Sequence, residues 1–211
     1  MIRLVIFDLD GTLVNAYPAV TQSVNFTLTQ LGFPKKTPLQ IKRAVGWGDR
    51  QLMVRFVGEV LADKAIRLYR PHHAKALAHG VKFLPGAKGI LSWCKAQGFL
   101  LAIASNRPTL FTKIILKGLK VEHYFDAILC ADKLKKGKPH PAILLSLCRK
   151  LKVKKQEVLF LGDMTIDLEC GFRAGIKTIA VATGSNTKKE LKELHPYKII
   201  DNINQLKQLV Y

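Results

Sequence analysis

The sequence predicts a doubly wound α/β fold: a mostly parallel sheet flanked by helices, with a small helical bundle inserted after the first strand. Three observations carry this expectation. Six short apolar runs lack the polar alternation of a half-exposed strand and are bounded by Gly, Asp or Asn, as strands buried on both faces are. Helical stretches of crossover length alternate with five of these runs over residues 87–200. Residues 15–82 hold no comparable run, and there Val20, Val24, Leu28 and Leu31 recur at helical spacing.

Taken in order, the first strand is expected at residues 2–7, where Asp8 and Asp10 interrupt the apolar run. The insert opens with the helix marked by Val20 and its periodic partners. Further helices over 38–45, 50–57 and 59–79 are separated by Gly46-Trp47-Gly48 and Gly58, so the insert reads as four helices. Leu84-Pro85-Gly86 returns the chain to the sheet. There helices at 87–97, 110–117, 141–151 and 166–174 alternate with strands at 99–104, 127–130, 158–161, 178–181 and 198–200. The expected division is a core domain of residues 1–14 and 83–211 and a helical cap of residues 15–82, lying over whatever the first strand presents. No internal repeat or low-complexity tract interrupts this plan.

Composition narrows the class. With 211 residues and 48% hydrophobic content the chain can bury a sizeable core and is not a disordered segment. Its apolar runs fall short of the roughly 18 residues a membrane span needs, and Asp8 and Asp10 end the first run before a signal-peptide core could form. Cys94, Cys130, Cys148 and Cys170 are widely spaced without a Cys-x-x-Cys pair, which points to reduced core thiols and a cytoplasmic location. A net charge of +19 would draw phosphorylated metabolites, nucleic acid or acidic surfaces. That charge is spread over insert and core, with lysines recurring in loops such as 133–138 and 150–155, and so reads as a solvated basic surface more than a nucleic-acid arm.

In an open parallel sheet, ligands bind beyond the carboxyl ends of the strands. Three polar clusters fall there: Asp8-Leu-Asp10-Gly-Thr12 after the first strand, Ser105-Asn106 after the second, and Gly162-Asp163-Met-Thr-Ile-Asp167 after the fourth. Lys138 precedes the helix that opens near Pro139 or Pro141. Three carboxylates converging on an apolar sheet edge repel one another unless a hard cation sits among them, and an all-oxygen donor set suits Mg2+. Thr12, Ser105 and Lys138 add hydroxyls and a cation, which suits a phosphate. His72, His73 and His140 have no metal-ligand spacing and read as surface or structural residues.

In this order and on these elements, Asp8-x-Asp10-Gly-Thr12, Ser105, Lys138 and Gly162-Asp163-x-x-x-Asp167 resemble the four motifs of the haloacid dehalogenase superfamily. Phe7-Asp-Leu-Asp-Gly-Thr-Leu-Val14, Pro85-Gly86 and Gly137-Lys138-Pro139 are similar to the branch with a helical cap typified by phosphoglycolate phosphatase, whose core is Rossmann-like. The resemblance covers nearly the whole chain. It implies that Asp8 is the nucleophile forming an aspartyl phosphate and that Asp10 is the acid and base. It further implies Mg2+ on Asp8, the Asp10 carbonyl, Asp163 and Asp167, with Thr12, Ser105, Asn106 and Lys138 at the phosphate.

An acid at position 10 favours phosphate-ester cleavage over the dehalogenase and phosphonate-cleaving relatives, and Gly162 before Asp163 departs from the acidic pair of the mutases. Asn15 and Met164 also depart from the phosphoglycolate phosphatase pattern, at positions that bear on substrate identity more than on chemistry. For specificity, Gly46, Trp47 and Arg50 of the insert and Arg107 beside Ser105 are the candidates, an arginine being suited to a carboxylate or second phosphate. The expected protein is thus a Mg2+-dependent phosphatase for a small phosphorylated metabolite such as 2-phosphoglycolate, monomeric or homodimeric. The alternatives are a pyrophosphatase, a nucleotide or polynucleotide-end phosphatase, and a basic nucleic-acid-binding protein that kept the fold.

Overall fold

Strand β1 (Leu4–Phe7) runs through the short β2 (Val14–Asn15) into three helices, α1 (Tyr17–Gln30), α2 (Pro38–Ala44) and α3 (Asp49–Gly80), and β3 (Lys82–Phe83) leads back. The remainder alternates α4 (Ala87–Ala96), β4 (Leu100–Ser105), α5 (Thr109–Gly118), β5 (Ala127–Cys130), α6 (Ala142–Leu151), β6 (Val158–Gly162), α7 (Thr165–Ala174), β7 (Lys177–Val181), α8 (Lys188–Lys192) and β8 (Lys198–Ile200). This computed structural model describes residues 1–210. Six strands form one parallel sheet in the order β5-β4-β1-β6-β7-β8, while β2 and β3 pair antiparallel as a separate ribbon.

The strands read as continuous apolar runs because both faces are covered. Along β1, Val5 and Phe7 join the cluster that includes Ile90 and Leu91 of α4 and Phe111 and Ile115 of α5. Leu4 and Ile6 face the opposite cluster, with Leu144 and Leu147 of α6 and Cys170 of α7. The element ends differ from the sequence expectation by only a residue or two. β2 and β3 escaped it altogether, since two-residue strands have no period to detect.

In the insert, Asn15 Oδ1 accepts the Tyr17 N–H at 3.2 Å, satisfying the first helical donor of α1. Thr37 and Gln40 close α2 with reciprocal side-chain bonds of 3.2 and 2.9 Å. The expected division at Gly58 survives as a break inside α3, where φ is +77° and only glycine is comfortable. Val20, Val24, Leu28, Met53, Val57 and Tyr69 of the insert join the same apolar cluster as Phe7, Leu101 and Phe111, and α3 packs on α5. The helical layer is thereby fixed over the carboxyl end of β1 and β4, where Asp8 and Ser105 emerge. All four cysteines are buried and unpaired. Among the described residues no helix is long and apolar enough to cross a membrane.

Candidate active site

β1 lies between β4 and β6, so the residues that follow these three strands converge at one edge of the sheet. A cavity opens there, roofed by Val20, Val45, Leu52 and Tyr69 of the insert and floored by Asp8, Asp10, Ser105, Lys138 and Asp167. The Asp8 N–H donates to the Leu161 carbonyl at 2.8 Å, which extends the β1–β6 ladder by one step and fixes where its side chain leaves the sheet. Gly11 follows at φ +84°, and a Cβ there would overlap the Asp163 carboxylate.

Lys138 is buried at the centre of the floor. Its Nζ lies 2.6 Å from Asp8 Oδ1 and 2.6 Å from Asp167 Oδ1, and it donates to the Ala104 carbonyl at 2.9 Å. The Asp167 contact is an ion pair whose angle falls outside a hydrogen bond. The other Asp167 oxygen accepts the Met164 N–H at 3.0 Å and so closes the start of α7. Asp163 is fully buried; Thr12 Oγ1 and the Ser185 N–H each donate to it at 3.1 Å, and the Tyr17 hydroxyl stands 3.5 Å away.

Oxygens of Asp8, Asp163 and Asp167 lie within 4.8 Å of one another. Three carboxylates against one ammonium leave two negative charges uncompensated in a buried site. Burial pushes the Asp8 carboxyl up to about 7 despite Lys138, and burial together with Asp8 and Asp167 raises Asp163 well above the usual range. Burial alone would lower the Lys138 ammonium, but Asp167 and Asp8 raise it further, so it stays charged. A buried, all-oxygen, doubly negative cluster fits a divalent hard cation.

Asp10 sits at the cavity edge, where both of its oxygens accept from the Arg107 guanidinium: Nε to Oδ2 at 2.6 Å and Nη2 to Oδ1 at 2.9 Å. Arg107 Nη1 is 2.7 Å from His73 Nε2. His73 belongs to α3, stacks on Tyr69, meets Phe111 edge-on, and places Nδ1 3.2 Å from Ser23 Oγ.

Not every candidate faces the cavity. The Thr12 hydroxyl is spent on Asp163, so it orients a carboxylate. Asn106 lines the cavity but acts as a clip: its Nδ2 donates to the Gly46 and Lys138 carbonyls at 2.8 and 2.9 Å, and its Oδ1 accepts the Lys138 N–H at 2.8 Å. Gly46 is therefore at the cavity through its backbone, packed against Met164. Trp47 is 44% exposed and does not line the cavity. Arg50 likewise lies outside it, paired with Glu59 at 2.6 Å and Asp63 at 3.3 Å on the surface of α3. Arg107 alone of the four specificity candidates brings a charged side chain to the cavity.

Sequence reasoning missed Tyr17 and the role of His73. The signal for His73 was present: Ala62, Ala65, Tyr69, His73 and Leu77 share the buried stripe of α3, and a polar residue on such a stripe has to have partners. Burial first, then the Arg107 charge and His72, hold the His73 imidazole down at about 2, against an ordinary value of 6.5. Below that ordinary value the unfolded chain binds a proton that the native state refuses. Stability from this group is therefore complete above pH 6.5 and falls as the pH drops, by about 1 kcal/mol per unit. Guanidinium unfolding at pH 7.5 and 5.5 should show a smaller acid loss in His73→Gln than in the native chain, by about 1 kcal/mol; equal losses would mean that His73 titrates normally.

With this geometry in hand, comparison with known proteins places the chain. The haloacid dehalogenase-like hydrolase family model matches residues 5–181, and the chain belongs to that family. Among curated relatives it is 30% identical over 220 residues to a phosphoglycolate phosphatase of Haemophilus influenzae, covering 97% of this chain and 96% of that protein. It is 32% identical to phosphoglycolate phosphatase 1 of Pseudomonas aeruginosa, over 97% of this chain and 78% of the relative. Among solved structures it is similar to a predicted phosphoglycolate phosphatase from Haemophilus somnus, with TM-score 0.95 and 28% identity over 100% of this chain and 98% of that one. A predicted phosphatase from Clostridium acetobutylicum matches with TM-score 0.89 and 27% identity, over 100% and 98% of the two chains.

Proposed function

We propose that the protein is a Mg2+-dependent phosphomonoester hydrolase that works through an aspartyl phosphate on a small phosphorylated acid such as 2-phosphoglycolate. The observation that carries this reading is one cavity holding Asp8 against Lys138, Asp10 beside it, and Arg107 as the cation nearest the apolar roof. The family membership and the similarity to phosphoglycolate phosphatases support it. Residues 15–82 act as the cap, with the β2–β3 ribbon as the connection to the core. Four buried, unpaired cysteines support a reducing, cytoplasmic setting.

In the first half-reaction an Asp8 oxygen attacks phosphorus and the bond to the ester oxygen breaks, with Asp10 giving that oxygen its proton. In the second, water attacks phosphorus, Asp10 takes the water proton, and the bond to Asp8 breaks. Lys138 holds the Asp8 carboxylate in place and offsets part of its repulsion toward a phosphate dianion. At about 4 Å such a unit pair is worth about 4 kcal/mol at an effective dielectric of 20. Ser105 stands at the cavity for the phosphoryl oxygens, its Oγ already accepting the Arg107 N–H at 3.2 Å. Mg2+ held by Asp8, Asp163, Asp167 and the Asp10 carbonyl would supply the remaining positive charge for the phosphoryl group.

Phosphate release from 2-phosphoglycolate, pyrophosphate, nucleotide monophosphates, sugar phosphates and a 3′-phosphorylated oligonucleotide, with Mg2+ and with chelator, tests the reading. Turnover should require Mg2+ and be fastest with the small acid. A preference for pyrophosphate or the oligonucleotide would move the substrate assignment to those classes, and no turnover at all would sink the reading.

A further inference from the structure

We propose that His73, which does not line the cavity, is a positioning residue: it aims Arg107 from the cap side, so that the guanidinium can read a second anionic group on the substrate. The inference rests on the reading of the substrate as a small phosphorylated acid and adds how that acid is selected.

The argument begins with donors. A guanidinium carries five N–H bonds. Arg107 spends one from Nε and one from Nη2 on Asp10, and one from Nη1 on His73. One N–H remains on each terminal nitrogen, and the side chain lines the cavity. The other cation there, Lys138, is committed to Asp8, Asp167 and the Ala104 carbonyl. A second anionic group entering above the phosphate therefore meets Arg107 as the cation with donors to give.

His73 fixes which donors those are. Ser23 Oγ gives its proton to the Ala19 carbonyl at 2.8 Å, so it accepts from His73 Nδ1, and the lone pair of a neutral ring is left on Nε2 for Arg107. Tyr69 and Phe111 hold the ring plane, and its low basicity keeps it an acceptor at any working pH. Charged groups facing the ring are Arg107, from the loop after β4, and through it Asp10; His72 is its neighbour on α3. Remove the acceptor, and Arg107 keeps its hold on Asp10 but loses the contact that prevents rotation about that pair. The cost falls on binding of a two-headed anion, because a preorganised fork loses less freedom on binding than a mobile one.

The test uses the full chain and two substrates of equal length, 2-phosphoglycolate and 2-hydroxyethyl phosphate, which differ in the charge of the far end. His73→Leu should raise KM for 2-phosphoglycolate about 10-fold or more, with kcat and the KM for 2-hydroxyethyl phosphate changed less than about 3-fold. His73→Gln, whose amide oxygen can stand near the position of Nε2, should restore most of the discrimination. If His73→Leu does not fold, Ser23→Ala, which removes the oxygen that fixes the ring tautomer, should still lower the KM ratio of the two substrates. A ratio unchanged in the folded variants, or an equal loss on both substrates, overturns the role of His73 while leaving the phosphatase reading intact. A native enzyme that turns over both substrates equally well overturns the small-acid reading itself, and the His73 assignment with it.

Discussion

Asp8→Asn is expected to abolish phosphate release, by at least about 10^4-fold in kcat, and at the same time to make the metal-free protein more stable. The two effects have one cause. Asp8 is buried with two other carboxylates close by, and its carboxyl is pushed up to about 7 because burial outweighs the attraction of Lys138. The amide keeps an oxygen for Lys138 and removes a charge the site can hardly hold. The gain should be about 1–3 kcal/mol, read as a rise in Tm of about 2–10 °C in chelator. Mg2+ should then stabilise the native chain more than the variant, since the variant offers one charge fewer. Residual turnover within 10-fold of native would remove Asp8 from the nucleophile's role, and a lower Tm in chelator would mean that the cluster is not strained.

The sheet and the carboxylates were legible in the sequence for the same physical reason. Strands covered on both faces lose their polar alternation, so β1, β4 and β6 stand out as apolar runs, and the first polar residues after them have to lie at the sheet edge. Asp8, Ser105 and Asp163 follow from that placement alone. What was not legible is how a polar side chain divides its bonds. Thr12 and Asn106 fall at the same edge as the nucleophile, yet they are spent on Asp163 and on the Gly46 and Lys138 backbone. Sequence spacing gives position along a strand or helix, whereas these partners are about 30 to 150 residues away.

The two arginines make the same point. Arg50 looked like the specificity cation because it follows a glycine-rich loop, but the break at Gly58 brings Glu59 and Asp63 within its reach, a contact that i,i+4 reasoning on a continuous helix does not generate. Arg107 reaches the cavity because β4 ends beside β1. The β2–β3 ribbon was invisible because each strand is two residues long and is held by a partner near the far end of the insert.

Lys138→Met should be among the most destabilising single changes in the chain. Its ammonium compensates Asp8 and Asp167, and a methionine of similar length fills the space but leaves both carboxylates buried without a cation. Breaking a buried pair in this way costs about 3–5 kcal/mol, well above the worth of an exposed ion pair, which corresponds to a fall in Tm of about 6–20 °C. Mg2+ at millimolar concentration should recover part of the loss, because a cation among Asp8, Asp163 and Asp167 offsets the charge that Lys138 no longer meets. The double variant Lys138→Met/Asp167→Asn should be more stable than Lys138→Met by about 1–3 kcal/mol, as one of the stranded charges is gone. Turnover should stay low in both, since neither restores the charge that holds Asp8 toward the phosphate. A single variant within about 1 kcal/mol of native would show that the carboxylates are compensated elsewhere, and a double variant no better than the single would show that the cost lies in packing around the lysine stem.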